Sequence, residues 1–215
     1  MRILLADDHP LFREGVKPVL EKLDDDIELV EAVDYPSAFA AMHRVANLSG
    51  GVDLALLDLY MPGMDGIEGV IRFRAAFPDV PVVVLSASEQ AEDIQQLLAA
   101  GALGYITKSS SSDVIHGALR LVIAGGVYVP PKLLDHHGSS PALPGSLRTS
   151  ALTTRQIDVL QELAKGLSNK QIAKALDVTE GTVKIHLAAV FRNLKVNNRT
   201  EAVLVAQKMG LHKKP

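Results

Sequence analysis

The chain has 215 residues, 47% of them hydrophobic and 22% charged, the composition of a soluble globular protein with room for one large or two ordinary domains. It has no cysteine, which excludes disulfides and thiolate metal sites and suits a reducing cytoplasm. The net charge of −3 conceals an asymmetry: residues 147–215 hold 12 Lys/Arg against 5 Asp/Glu, the preceding residues 10 against 20, so an acidic domain is joined to a basic one that faces a polyanion.

The N-terminus enters a strand-like run directly, without the basic and apolar regions of a signal peptide. No apolar stretch approaches the roughly 20 residues that span a bilayer. A cytoplasmic protein with no membrane partner is expected.

Along the first 125 residues, strand-like and helix-like runs alternate. Residues 2–6 read as strand and 10–23 as helix, with Pro10 in the first turn, where a missing N–H costs nothing. Strands over 27–33, 53–57, 81–85 and 103–107 alternate with helices over 36–46, 65–77, 89–100 and 112–124. Gly101 reads as a C-cap. Five strand-then-helix repeats predict a doubly wound, five-stranded parallel α/β sheet. Residues 135–150 are rich in Gly, Ser and Pro and lack any period, the pattern of a flexible linker; His136 and His137 within it have no completing ligands nearby.

Past Ser150 the pattern is purely helical. Thr153 with Gln156, and Ser168 with Gln171, form two capping boxes, and Thr179 and Thr200 open two further helices. The short turn at Asp177-Val178 makes the middle pair a helix-turn-helix. In its second helix Val183, Leu187, Val190, Phe191 and Leu194 face inward, and Lys184, His186, Arg192 and Lys195 face solvent.

The strand ends carry the chemistry. Asp7 and Asp8 follow the first strand, Asp58 the third, Ser86 the fourth and Lys108 the fifth. In a parallel sheet these ends share one edge, where ligands bind. Asp8 and Asp58, with Asp7 acting directly or through water and the carbonyl of Tyr60, suit a hard cation such as Mg2+. A carboxylate can attack a phosphoryl group, and Asp58, on the central strand, is the best nucleophile candidate. Lys108 would neutralise phosphoryl charge and Ser86 would hydrogen-bond a phosphoryl oxygen.

The segments Asp7-Asp8, Asp58-Leu59-Tyr60-Met61-Pro62-Gly63-Met64-Asp65-Gly66, Leu85-Ser86-Ala87-Ser88 and Tyr105-Ile106-Thr107-Lys108 resemble the receiver domain of two-component response regulators, in order and spacing throughout residues 1–125. The resemblance implies a flavodoxin-like fold and phosphorylation of Asp58 by a histidine kinase. It also implies a switch in which Ser86 turns toward the phosphoryl group and Tyr105 moves inward. Leu152-Thr153-Thr154-Arg155-Gln156, Gly166-Leu167-Ser168-Asn169-Lys170-Gln171-Ile172-Ala173, Thr182-Val183-Lys184-Ile185-His186 and Arg199-Thr200-Glu201-Ala202 resemble the LuxR-type helix-turn-helix. Together the two resemble the NarL/FixJ family, with a receiver over 1–125, a linker over 126–149 and a DNA-binding domain over 150–215.

That family reading implies a helix from Thr179 to Leu194 in the major groove of double-stranded DNA, with Thr182, Lys184, Ile185, His186 and Ala188 on or beside it, and Lys170 and Arg199 at phosphates. It implies a homodimer on activation and admits RNA polymerase as a further partner. Two departures stand out. Gln156 replaces a frequent Glu, and Ala188 and Ala189 stand where many relatives are polar or basic, which reduces direct base readout.

The expected function is thus a phosphorylation-switched transcriptional regulator, not an enzyme. A regulator that binds DNA without phosphorylation is the alternative. An aspartyl-nucleophile phosphatase is the remaining one; phosphatases of that kind place an acid-base Asp two residues after the nucleophile, where this chain has Tyr60.

Overall fold

Four short apolar runs, each reaching a polar residue, and one alternating edge strand build the sheet. The computed structural model describes residues 1–24, 26–46, 51–78, 80–124, 126–131, 152, 154–196 and 198–211. The strands are β1 (Arg2–Ala6), β2 (Glu28–Ala32), β3 (Leu54–Asp58), β4 (Val82–Ser86) and β5 (Gly104–Thr107). Between and after them lie α1 (Pro10–Leu20), α2 (Tyr35–Ala46), α3 (Gly66–Ala76), α4 (Ala91–Ala99) and α5 (Ser112–Ile123). All strand pairs are parallel and the order is β2-β1-β3-β4-β5.

Alternate residues of each strand serve opposite faces. Ala55 and Leu57 of β3 pack with α2, α3 and α4 through Met42, Phe73 and Leu97. Leu54 and Leu56 pack with α1 and α5 through Val16, Leu20 and Leu119. Every residue of β3 and β4 is buried, as strands covered on both faces must be, whereas edge strand β2 alternates. The chain changes direction of winding between β1 and β3, and the ligand crevice of such a sheet opens at that point.

Asp58 and Ser86 are the last residues of their strands rather than the first residues beyond them, because the parallel ladder runs one step further, pairing Asp58 with Leu85 and Ser86 with Thr107. Helix α1 stops at Leu20, short of residue 23, where Leu23 N–H turns back to the Leu20 carbonyl. The segment expected to open a linker at 126 first returns to the sheet: Tyr128 N–H donates to the Leu103 carbonyl and Tyr105 N–H to the Tyr128 carbonyl. Backbone polar groups on an edge strand seek partners, and these residues supply them.

The C-terminal unit consists of α6 (Thr154–Ala164), α7 (Asn169–Leu176), α8 (Glu180–Leu194) and α9 (Arg199–Lys208). Ser168 and Gln171 form the expected capping box of α7. Asp177, in the left-handed region at φ 54, reverses the chain so that Thr179 can cap α8. Asn198 caps α9 by accepting from Glu201 N–H. Leu160, Leu163, Ile172, Val183, Leu187 and Val190 form the core of this unit. His186, expected at solvent, is buried. Thr153, His136 and His137 lie outside the described residues. Among the described residues no helix is long and apolar enough to cross a membrane.

Candidate functional site

The parallel sheet delivers Asp7, Asp8, Asp58 and Lys108 to one crevice, as the strand-end pattern predicts. Asp7 and Asp58 are buried. Lys108 Nζ lies 2.7 Å from Asp7 Oδ2 and 2.8 Å from Asp58 Oδ2. Asp58 Oδ1 accepts from Tyr60 N–H at 3.2 Å. Burial pushes the Asp58 carboxyl above its ordinary value, and the neighbouring Asp7 charge adds to this; Lys108 and the Tyr60 N–H oppose it.

Asp7, Asp8, His9 and Asp58 each offer a ligand atom within 4.8 Å of one another. Asp7 Oδ2 and Asp8 Oδ1 are buried and accept no hydrogen bond, since Lys108 and His9 approach them away from hydrogen-bond geometry. Oxygen-rich and underbonded, the cluster fits a hard divalent cation. The Tyr60 side chain points elsewhere, its hydroxyl 3.4 Å from Asp93 Oδ2, which leaves only its backbone for the cleft.

The strand-end pattern does not single out His9. Its Nδ1 lies 2.7 Å from Asp8 Oδ1, 3.2 Å from Asp7 Oδ1 and 3.2 Å from Lys108 Nζ. Adjacency to Asp8 is the only signal the sequence offers for it. Ser86, fully buried, accepts from Ser88 N–H at 3.1 Å, and Tyr105 donates its hydroxyl to the Ser88 carbonyl at 2.7 Å. Tyr105 is itself fully buried, so its ring is already inward here.

On the helical unit, Lys170 and Lys184 are exposed and Ala188 is half-buried. Arg199 donates to the Leu167 carbonyl at 2.6 Å, which makes it a brace for the loop before α7. Gln156 accepts from Asn193 Nδ2 at 3.2 Å, linking α6 to α8.

Residues 3–120 match the response regulator receiver domain family, and residues 150–206 match the luxR family of bacterial regulatory proteins. The chain is 40% identical over 217 residues to the glycerol metabolism activator of Pseudomonas putida, covering 95% of this chain and 94% of that one. It is 38% identical over 213 residues to the nitrate/nitrite response regulator protein NarP of Escherichia coli, covering 97% and 96%. This chain belongs to the two-component response regulators. A LuxR-family two-component response regulator from Aurantimonas sp. shares its structure with a TM-score of 0.55 and 28% identity, over 62% of this chain and 92% of that one. The RcsB response regulator of Salmonella typhimurium, 22% identical, has the same fold at a TM-score of 0.56 over 97% and 98%.

In this response regulator the LuxR-type domain lies against the receiver through α8. Ile185, His186 and Ala189 border a crevice of about 690 Å³ whose receiver wall includes Arg74, Val80 and Leu103. Lys184 borders a second crevice, of about 340 Å³, opposite Asp24, Asp26, Glu28 and Asp53. Thr182 is buried, with both its N–H and its hydroxyl on the Asp53 carboxylate. Thus Ile185, expected at a base edge with Lys184, and His186, expected to face DNA, are covered in this arrangement because the receiver occupies the same face of the helix, whereas Lys184 stays exposed.

Proposed function

We propose that Asp58 is the phosphoacceptor of this transcriptional response regulator and that its phosphorylation frees α8 for DNA. The observation that carries the reading is the Lys108 ammonium bridging Asp7 and Asp58 at the mouth of the sheet's winding switch. An Asp58 carboxylate oxygen attacks the phosphorus of a phosphohistidine on the cognate histidine kinase. The P–N bond breaks, an acyl phosphate forms on Asp58, and the leaving imidazole takes up a proton. Lys108 stabilises the charge on the transferred group. Asp7, Asp8 and Asp58, with the Tyr60 carbonyl, would hold Mg2+, which supplies charge neutralisation at the phosphoryl oxygens when bound.

The output runs through Ser86. Its hydroxyl, drawn to a phosphoryl oxygen, releases Ser88 N–H, and the same Ser88 holds the Tyr105 hydroxyl. The β4–α4 segment therefore reports the state of Asp58. We place the receiver's end beyond Tyr128 and the DNA-binding domain from about residue 150, with Lys184, Ile185, His186 and Thr182 facing double-stranded DNA and Lys170 at a phosphate. Dimerisation on activation, contact with RNA polymerase and a cytoplasmic location complete the proposal.

DNA selection from a genomic fragment library, at fixed salt and Mg2+, tests the reading with and without beryllofluoride as the phosphoryl mimic. Enrichment that depends on the mimic is expected. Equal enrichment in both conditions would establish a phosphorylation-independent regulator instead.

A further inference from the structure

Asp53 stands just before β3, at the end of the strand opposite Asp58, and is fully buried although it takes no part in the acidic cleft. Its Oδ2 accepts from Arg2 N–H at 2.6 Å, within the receiver. Its Oδ1 accepts from Thr182 N–H at 2.9 Å and from the Thr182 hydroxyl at 2.8 Å, across the domain boundary. Thr182 lies in the first turn of α8, where its N–H has no carbonyl partner inside the helix and is shared between the capping Thr179 hydroxyl, at 2.9 Å, and Asp53, and where the helix dipole is positive. An anion is the natural occupant of such a place, and here the anion is a side chain of the receiver.

Gly181 permits the approach. A Cβ at this position would lie 2.8 Å from Asp53 Oδ1 and 3.1 Å from its Cγ. Asp24, Asp26 and Glu28 stand on the same receiver wall, facing the crevice that Lys184 borders. Glu180 adds a like charge on the α8 side of that crevice.

We propose that Asp53 is the latch of the closed arrangement and that its carboxylate takes the place of a DNA phosphate on α8. Phosphates in protein–DNA complexes are held by backbone N–H groups at helix N-termini and by Thr hydroxyls, the two donors that Asp53 occupies. Receiver and DNA thus compete for one pair of donors on Thr182. The inference rests on the reading of α8 as the DNA-facing helix.

The test uses the full chain and a duplex enriched by beryllofluoride-treated wild-type protein, with affinity and solution scattering measured at fixed salt and Mg2+. Asp53→Ala without the mimic should bind the duplex roughly tenfold tighter than wild type, with a larger radius of gyration. Gly181→Ala pushes Asp53 off from the other side, and alanine favours the helix it enters. It should open the scattering profile equally, yet gain no affinity, since its methyl group crowds a phosphate as it crowds the carboxylate.

If wild type responds to the mimic while both variants stay closed and bind as wild type does, the latch is overturned. If Gly181→Ala binds as tightly as Asp53→Ala, the shared phosphate place is overturned. A wild type indifferent to the mimic would sink the phosphorylation switch instead, with the scattering of the two variants still deciding whether Asp53 holds the domains together.

Discussion

Asp53 and Asp58 bracket β3, one carboxylate just before the strand and on the first turn of α8, the other closing the strand in the acidic cleft. The residues between them are fully buried aliphatic side chains that pack on both faces of the sheet. A close-packed strand of this kind deforms little, so the two ends report to one rigid element.

Asp58→Ala should abolish covalent phosphorylation. Incubation with acetyl phosphate and Mg2+, followed by intact-mass measurement, should give a phosphorylated species for wild type and none for the variant. A variant that still gains the phosphoryl mass would move the acceptor to Asp7 or Asp8.

Lys108→Met removes the cation that neutralises two buried carboxylates. Breaking a buried ion pair leaves uncompensated charge, so stability without metal should fall by about 3 kcal/mol. Mg2+ should then bind more tightly, by roughly tenfold, because no ammonium competes for Asp7 and Asp58. Urea unfolding across a Mg2+ titration measures both effects. Unchanged stability and unchanged Mg2+ dependence would show that the ammonium does not hold the cluster.

Burial raises the Tyr105 hydroxyl above its ordinary value of 10.0, and the neighbouring Ser86 and Ser88 side-chain hydroxyls, which favour the phenolate, offset part of that rise. Its neutral form is therefore the stabilising one. That contribution is fully present below pH 10 and is lost as pH rises through the raised value. Tyr105→Phe should cost about 1 kcal/mol at neutral pH, the worth of the bond to the Ser88 carbonyl. It should also flatten the alkaline loss of stability, with Tyr35 and Tyr128, raised by the same cause, and Lys17, raised by its bonds to Glu14 and Glu31, contributing to what remains. Thermal melts of both proteins between pH 7 and about pH 11 give the comparison.

Ser168→Ala removes the side-chain acceptor of the α7 capping box. The expected cost is about 1 kcal/mol. Because the cap belongs to the LuxR-type domain, its unfolding transition should shift down by several degrees. Phosphorylation of Asp58 should proceed unchanged. A loss of phosphorylation would mean that the cap acts beyond its own domain.

The sheet was legible because the inner strands are unbroken apolar runs with polar residues at their ends, and the parallel topology then brings Asp7, Asp8, Asp58 and Lys108 together without further information. The capping boxes were legible because Ser168 and Gln171 act within one turn. Asp53 was not, since its partner Thr182 lies 129 positions away and no local period links them. The burial of Ile185 and Ala189 left a trace in the sequence: they are four residues apart and lie off the stripe of Val183, Leu187 and Val190, so α8 has a second apolar face that its own domain does not cover. The direction of the His9 ring follows from three charged neighbours, none of which periodicity describes.

The return of Tyr128 to β5 guards the protein against edge-to-edge strand pairing. An outer strand with free N–H and C=O groups is a template for a second chain, and β5 would otherwise be one. With Tyr128 bonded to Leu103 and Tyr105, that template is occupied by the chain's own backbone. A receiver cut before Val127 would expose the strand, so the boundary chosen for expressing this domain alone sets whether it stays monodisperse or aggregates.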